Sequence, residues 1–178
     1  MSERSLPLPI EQAYTQLKNV LHKNKCQIIE EKPPQYISVK QGSLNGILPK
    51  SAKKTVKYYL SPEGTGTKIT SSTKIASDWT NLTVCGNILA AVLAGVFLWI
   101  AADMENYMLT AKPSFWTWLA RAHGNPDLQY IIFMVNLTRA IAIFLVLTIA
   151  VEILVVIYVY PRKNAFAQET LQALSTAR

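Results

Sequence analysis

LTVCGNILAAVLAGVFLWIAA, residues 82–102, runs for 21 residues without a formal charge. At about 1.5 Å of rise per residue, a helix of that length covers a hydrocarbon core of about 30 Å. The stretch therefore predicts a first transmembrane helix, placed over residues 79–103. A second apolar run, residues 130–161, is longer than one crossing requires, and Tyr158, Tyr160, Pro161, Arg162 and Lys163 mark its cytoplasmic end. Counting back about 20 residues puts the start of the crossing near Ala140, so this helix extends past the outer surface or tilts. Half of the 178 residues are hydrophobic and the mean hydropathy is +0.17, with the excess concentrated after Trp79.

Charge orients the hairpin. Residues 1–80 carry 12 Lys/Arg against 6 Asp/Glu, a net +6 within the chain total of +7. The connection over 103–129 has a net −1 and the tail beyond the second run a net +2. Basic flanks and a slightly acidic connection predict that both termini are cytoplasmic. Met1 to Leu8 is polar, so the first span is expected to direct insertion itself. The same segregation favours a membrane surface over nucleic acid as the target of the positive charge.

The cytoplasmic region, residues 1–78, reads as a basic α+β domain. Ile10, Ala13, Tyr14, Leu17, Val20 and Leu21 recur at helical spacing, which predicts a helix over about 10–23. Four runs with strand character follow at about 26–31, 35–41, 53–60 and 66–75, separated by Pro33-Pro34, by residues 42–51 and by Pro62-Glu63-Gly64. In the third, Val56, Tyr58 and Leu60 alternate with Thr55, Lys57 and Tyr59. One helix over a small antiparallel sheet is the economical architecture. A short tail helix within 162–178, using Phe166, Leu171 and Leu174, is expected to dock on this domain.

Leu6-Pro7-Leu8-Pro9-Ile10-Glu11-Gln12-Ala13-Tyr14 resembles the strand-into-helix opening of START-type helix-grip domains, and Gly64-Thr65-Gly66-Thr67-Lys68-Ile69-Thr70 is similar to the start of a later strand in that superfamily. The resemblance covers about residues 6–75. It implies a shortened helix-grip fold interrupted by a membrane hairpin, and with it a module for lipid or another hydrophobic ligand. No ligand-contacting residue is carried over.

Enzymatic constellations are nearly absent, and no enzyme and no cofactor are expected. Neighbouring Glu30 and Glu31 in a strand point to opposite faces. Gly64-Thr65-Gly66-Thr67 lacks the Lys-Ser/Thr ending of a phosphate-binding loop, so it reads as a hairpin turn. Asn81-Leu82-Thr83 and Asn136-Leu137-Thr138 fit the glycosylation triplet but lie on the cytoplasmic side and against the membrane. Cys26 and Cys85 are poorly placed to pair, and His22 and His123 fall on opposite sides of the first span, which speaks against a metal site.

What remains is polar chemistry inside or beside the bilayer. Glu152 lies about 12 Å inside the cytoplasmic end of its helix, where an unpaired carboxylate is costly. Antiparallel register places Asn87 at nearly the same depth, as its expected partner. Arg139 comes level with Asp103 near the outer surface. Gly86, Ala90 and Ala94 form a small-xxx-small pattern suited to close helix packing. Lys50, Lys53, Lys54 and Lys57 offer either anionic headgroup contact or a solvated face. Tyr107, Phe115, Trp116 and Trp118, in the connection over 104–129, fit the outer headgroup region, the other reading being that they pack on one another or on a neighbouring subunit.

The first functional expectation is a membrane-anchored, non-enzymatic accessory subunit whose hairpin docks into a larger assembly of other membrane subunits or of itself. The second is the membrane-tethered helix-grip ligand module. A small channel or proton-coupled component built around Glu152 comes third.

Overall fold

The computed structural model describes residues 2–122 and 125–176; His123 lies outside the described residues. The chain forms two compact units, Met1–Leu82 with Val155–Arg178, and Thr83–Leu154.

The first unit is built on a five-stranded antiparallel sheet of order β1-β5-β4-β3-β2. Its strands are β1 (Ser2–Leu6), β2 (Gln27–Lys32), β3 (Tyr36–Gln41), β4 (Lys54–Glu63) and β5 (Gly66–Ile75). Strand β1 is implied only by the helix-grip resemblance, because its polar run shows no clear alternation. It is held by pairing Ser2–Leu6 against residues 67–71 of β5. Helix α1 (Ile10–Lys23) buries Ala13, Tyr14, Leu17 and Leu21, one face at helical spacing. The sheet answers with Ile37, Val39, Val56, Tyr58, Leu60 and Ile69, all in the same core. Register lines these up across strands, Ile37 opposite Tyr58 and Leu60 opposite Ile69. Helix α4 (Ala165–Thr176) completes the core with Phe166, Ala167, Leu171 and Leu174. The end of the chain is thus a structural part of the domain.

Helix α2 (Ser77–Thr110) begins in this unit, and helix α3 (Leu128–Val159) returns to it. Both are long and apolar enough to cross a membrane. The first is longer than its apolar run: Asp103, Glu105 and Asn106 continue the helix because no breaker intervenes before Ala111, at φ 53°, and Pro113. In the second unit the two helices pack along one seam. On α2 the covered or half-covered positions run through Thr83, Asn87, Ala90, Ala94, Phe97, Ala101 and Met104, with Ile100 buried beside them, and on α3 they include Ile131, Val135, Thr138, Ala142, Ile149 and Glu152. Spacings alternating between three and four residues are those of left-handed coiled-coil packing. The outward faces stay bare: 17% and 6% of the most apolar windows of α2 and α3 are buried.

Candidate functional site

Glu152 and Asn87 meet on the α2–α3 seam. The Asn87 amide donates from Nδ2 to Glu152 Oε2 at 2.7 Å and to the Thr83 carbonyl at 2.9 Å. Both residues are half-buried. Asn87 Oδ1 is buried with no hydrogen-bond partner. The pair, with Thr83 and Thr138, interrupts a mainly apolar seam, and a polar pair of this kind fixes register between packed helices. The carboxylate's second oxygen leaves acceptor capacity for a further donor.

Arg139 does not pair with Asp103. Its guanidinium bonds to Glu105, and both side chains are about half exposed. Asp103 instead accepts hydrogen bonds from Ser114 Oγ at 2.7 Å and from the Trp116 backbone amide at 2.8 Å. Two residues along a helix turn the side chain by about 200°. Depth alone placed Arg139 beside Asp103, and helical phase assigns it to Glu105.

The packing seam also differs from the Gly86, Ala90, Ala94 pattern. Ala94 is buried at 4% exposure and Ala90 is half-buried, but Gly86 is exposed. A Cβ there would meet only Glu152 Oε2, at 3.9 Å. The repeat is 3.5 residues, so the seam passes through Asn87 rather than its neighbour.

The aromatic connection folds back on its own helix. Trp116 stands edge-on to Trp99 at 5.3 Å and to Phe115 at 4.9 Å, and Trp118 lies 6.4 Å from Trp116. Trp116 and Tyr107 pack against the Ile100, Ala101, Met104, Ile131 and Val135 cluster. Phe115 and Trp118 remain 67% and 63% exposed.

The four lysines divide. Lys57 is exposed on the outer face of β4. Lys50 is exposed and reaches Glu169 of α4 at 2.6 Å. Lys53 bonds to Asp78, whose carboxyl is held below its usual range by that hydrogen bond. Lys54 is fully buried, its ammonium donating to the Pro49 carbonyl and lying 5.9 Å from the Phe166 ring centroid. Headgroup contact is closed to it. Alternation is the reason: Lys54 shares its strand face with Val56, Tyr58 and Leu60. Burial pushes its pKa down to about 8.

Sequence reading passed over Trp79 and the loop before β4. Trp79 is buried with Ala52, Ile75 and Val159, and its indole donates to the Gly46 carbonyl at 3.1 Å. A tryptophan three residues ahead of a long apolar run was the available signal. Among the described residues, no group of three or more His, Cys, Asp or Glu is placed to hold a metal ion. Cys26 is buried and Cys85 exposed, both as free thiols.

Comparison with known proteins finds no matching family model, no matching curated protein and no matching solved structure.

Proposed function

We propose that the chain is a non-enzymatic accessory subunit anchored in the cell membrane by the α2–α3 hairpin, with both termini and the sheet domain in the cytoplasm. The observation that carries this reading is the pairing of two long apolar helices, whose outward faces the chain itself leaves bare, with a half-buried Glu152. Lipid satisfies the apolar faces. A carboxylate with acceptor capacity to spare favours a polar group of another membrane helix, because intramembrane ionisable side chains usually face protein or water. The sheet domain then presents its basic surface to partners or anionic headgroups at the cytoplasmic surface.

The helix-grip ligand module has less support. The space between the sheet and helices α1 and α4 is filled by Leu17, Leu21, Ile37, Tyr58 and Ile69, each fully buried. A chamber for an apolar ligand would need that volume.

Purification of the tagged full chain in mild detergent tests the proposal. Stoichiometric membrane proteins, or a defined self-assembly, are the expected companions. Glu152→Leu is expected to lower their recovery several-fold, and Glu152→Gln to retain most of it by keeping hydrogen-bonding capacity. A monomeric chain free of partners, unchanged by Glu152→Leu, would sink the reading.

A further inference from the structure

Loop 42–51, between β3 and β4, exposes three large apolar side chains close together in sequence: Leu44 at 41%, Ile47 at 63% and Leu48 at 55%. Loops of small domains are normally polar at such positions, and contiguous exposed apolar groups mark an interaction surface. The loop is braced. Ser43 N donates to Ser51 O at 2.8 Å and Ala52 N to Leu48 O at 2.8 Å. The close crossing of its limbs needs a glycine at position 46, where a Cβ would lie 2.0 Å from the Ser51 carbonyl oxygen. The three side chains are thus held outward by backbone geometry.

Its location names what covers them. The loop is fastened to the first turn of α2 by the Trp79 indole on Gly46 O, and Ala52 at its end packs with Trp79, Ile75 and Val159. Trp79 lies in the first turn of α2 and Val159 closes α3. The apolar run begins at Leu82, about 4.5 Å farther along α2 than Trp79. At the same place Thr80 Oγ1 and the Tyr160 hydroxyl are 3.2 Å apart, and the Arg162 guanidinium lies 4.5 Å over the Tyr158 ring. Tyrosine and arginine side chains of this kind belong at the headgroup level. Lys50, at the loop's far limb, is 60% exposed and paired with Glu169, so the attachment rests on the apolar side chains.

We infer that loop 42–51 is a membrane-dipping element, with Leu44, Ile47 and Leu48 inserted at the boundary of headgroups and acyl chains in the cytoplasmic leaflet. The inference rests on the reading of α2 and α3 as membrane spans. It gives the sheet domain an attachment to the bilayer in addition to the spans.

Fluorescent labels report on both readings separately. In a Cys26→Ala, Cys85→Ser background, the full chain carrying Ile47→Cys, Leu93→Cys or Lys57→Cys is labelled with a polarity-sensitive dye. Each is reconstituted into phosphatidylcholine vesicles containing phosphatidylserine, with nitroxide lipids quenching near the headgroup or deep in the acyl region. The dye at Ile47→Cys is expected to emit to the blue and to be quenched most by the shallow nitroxide. The dye at Lys57→Cys is expected to remain in water. Deep quenching at Leu93→Cys together with no quenching at Ile47→Cys overturns the dipping loop and leaves the spans standing; a dye at Ile47→Cys that is blue-shifted yet unquenched counts the same way, since protein rather than lipid then covers it. Absence of quenching at Leu93→Cys overturns the span reading and the loop with it.

Discussion

Lys54 shows what a single inward-facing charge costs this fold. Its side chain is fully buried beside Phe166, with the Pro49 carbonyl as acceptor, and burial pushes its pKa from 10.5 to about 8. At 1.36 kcal/mol per unit, the folded state holds the charged form at a disadvantage of about 3 kcal/mol relative to the unfolded chain. The unfolded state binds more protons between pH 8 and 10.5, so this penalty is fully present below pH 8 and is relieved as pH rises through that window. Cys26, in the same core and raised by burial, opposes the trend above its ordinary pKa of 9.0. Lys54 and Cys26 also act on each other's charge, so Cys26→Ala in both chains isolates the lysine. We expect any advantage in Tm of Lys54→Met over the Cys26→Ala parent, followed by circular dichroism in mild detergent, to shrink steadily from pH 8 to 10.5. A constant difference would show that Lys54 is not the titrating group. The burial was legible in principle from the period of two that also sets Val56, Tyr58 and Leu60 inward. Reading the Lys50, Lys53, Lys54 and Lys57 cluster by charge density instead hid the strand's phase.

At the scale of elements, amphipathic periodicity carried the most information. The α1 face and the β4 alternation were both readable because one side of each element meets water and the other a core. That contrast is missing in α2 and α3, where outward-facing and inward-facing positions are equally apolar, so composition alone could not choose the seam. Small residues at 86, 90 and 94 suggested a repeat of four, whereas the packed positions follow a repeat of 3.5 through Asn87, Ala94, Ala101 and Met104. The two patterns make opposite predictions. Ala94→Leu places a large side chain in the covered seam and is expected to cost about 1–3 kcal/mol through overpacking. Gly86→Ala meets only open space and Glu152 Oε2 at 3.9 Å, and the removal of a mid-helix glycine is expected to be neutral or stabilising by about 0.5–1 kcal/mol. Unfolding of the full chain by added denaturing detergent, followed by loss of helical circular dichroism, ranks the two. Equal damage from both would return the seam to the Gly86 register.

For the whole molecule, the order of elements splits the sheet domain in sequence: α1 and the sheet precede the hairpin, and α4 follows it to supply Phe166, Leu171 and Leu174 to the same core. The sheet, α1 and α4, within residues 2–76 and 165–176, must therefore lie on one side of any membrane that the hairpin crosses, because they share a packed interior. This constraint is independent of the charge asymmetry of +6 and +2 at the ends against −1 between the runs, and it fixes an even number of crossings. In the proposed topology charge then selects the side, since lysine and arginine are retained in the cytoplasm during insertion. In the same cysteine-free background, Lys112→Cys tests the connection and Lys57→Cys the sheet domain; both positions are exposed. An impermeant maleimide applied to intact cells is expected to label Lys112→Cys, and to label Lys57→Cys only after permeabilisation. The reverse pattern would invert the topology. Labelling of neither position until permeabilisation would mean that α2 and α3 do not cross the membrane, and their bare apolar faces would then have to be covered by protein.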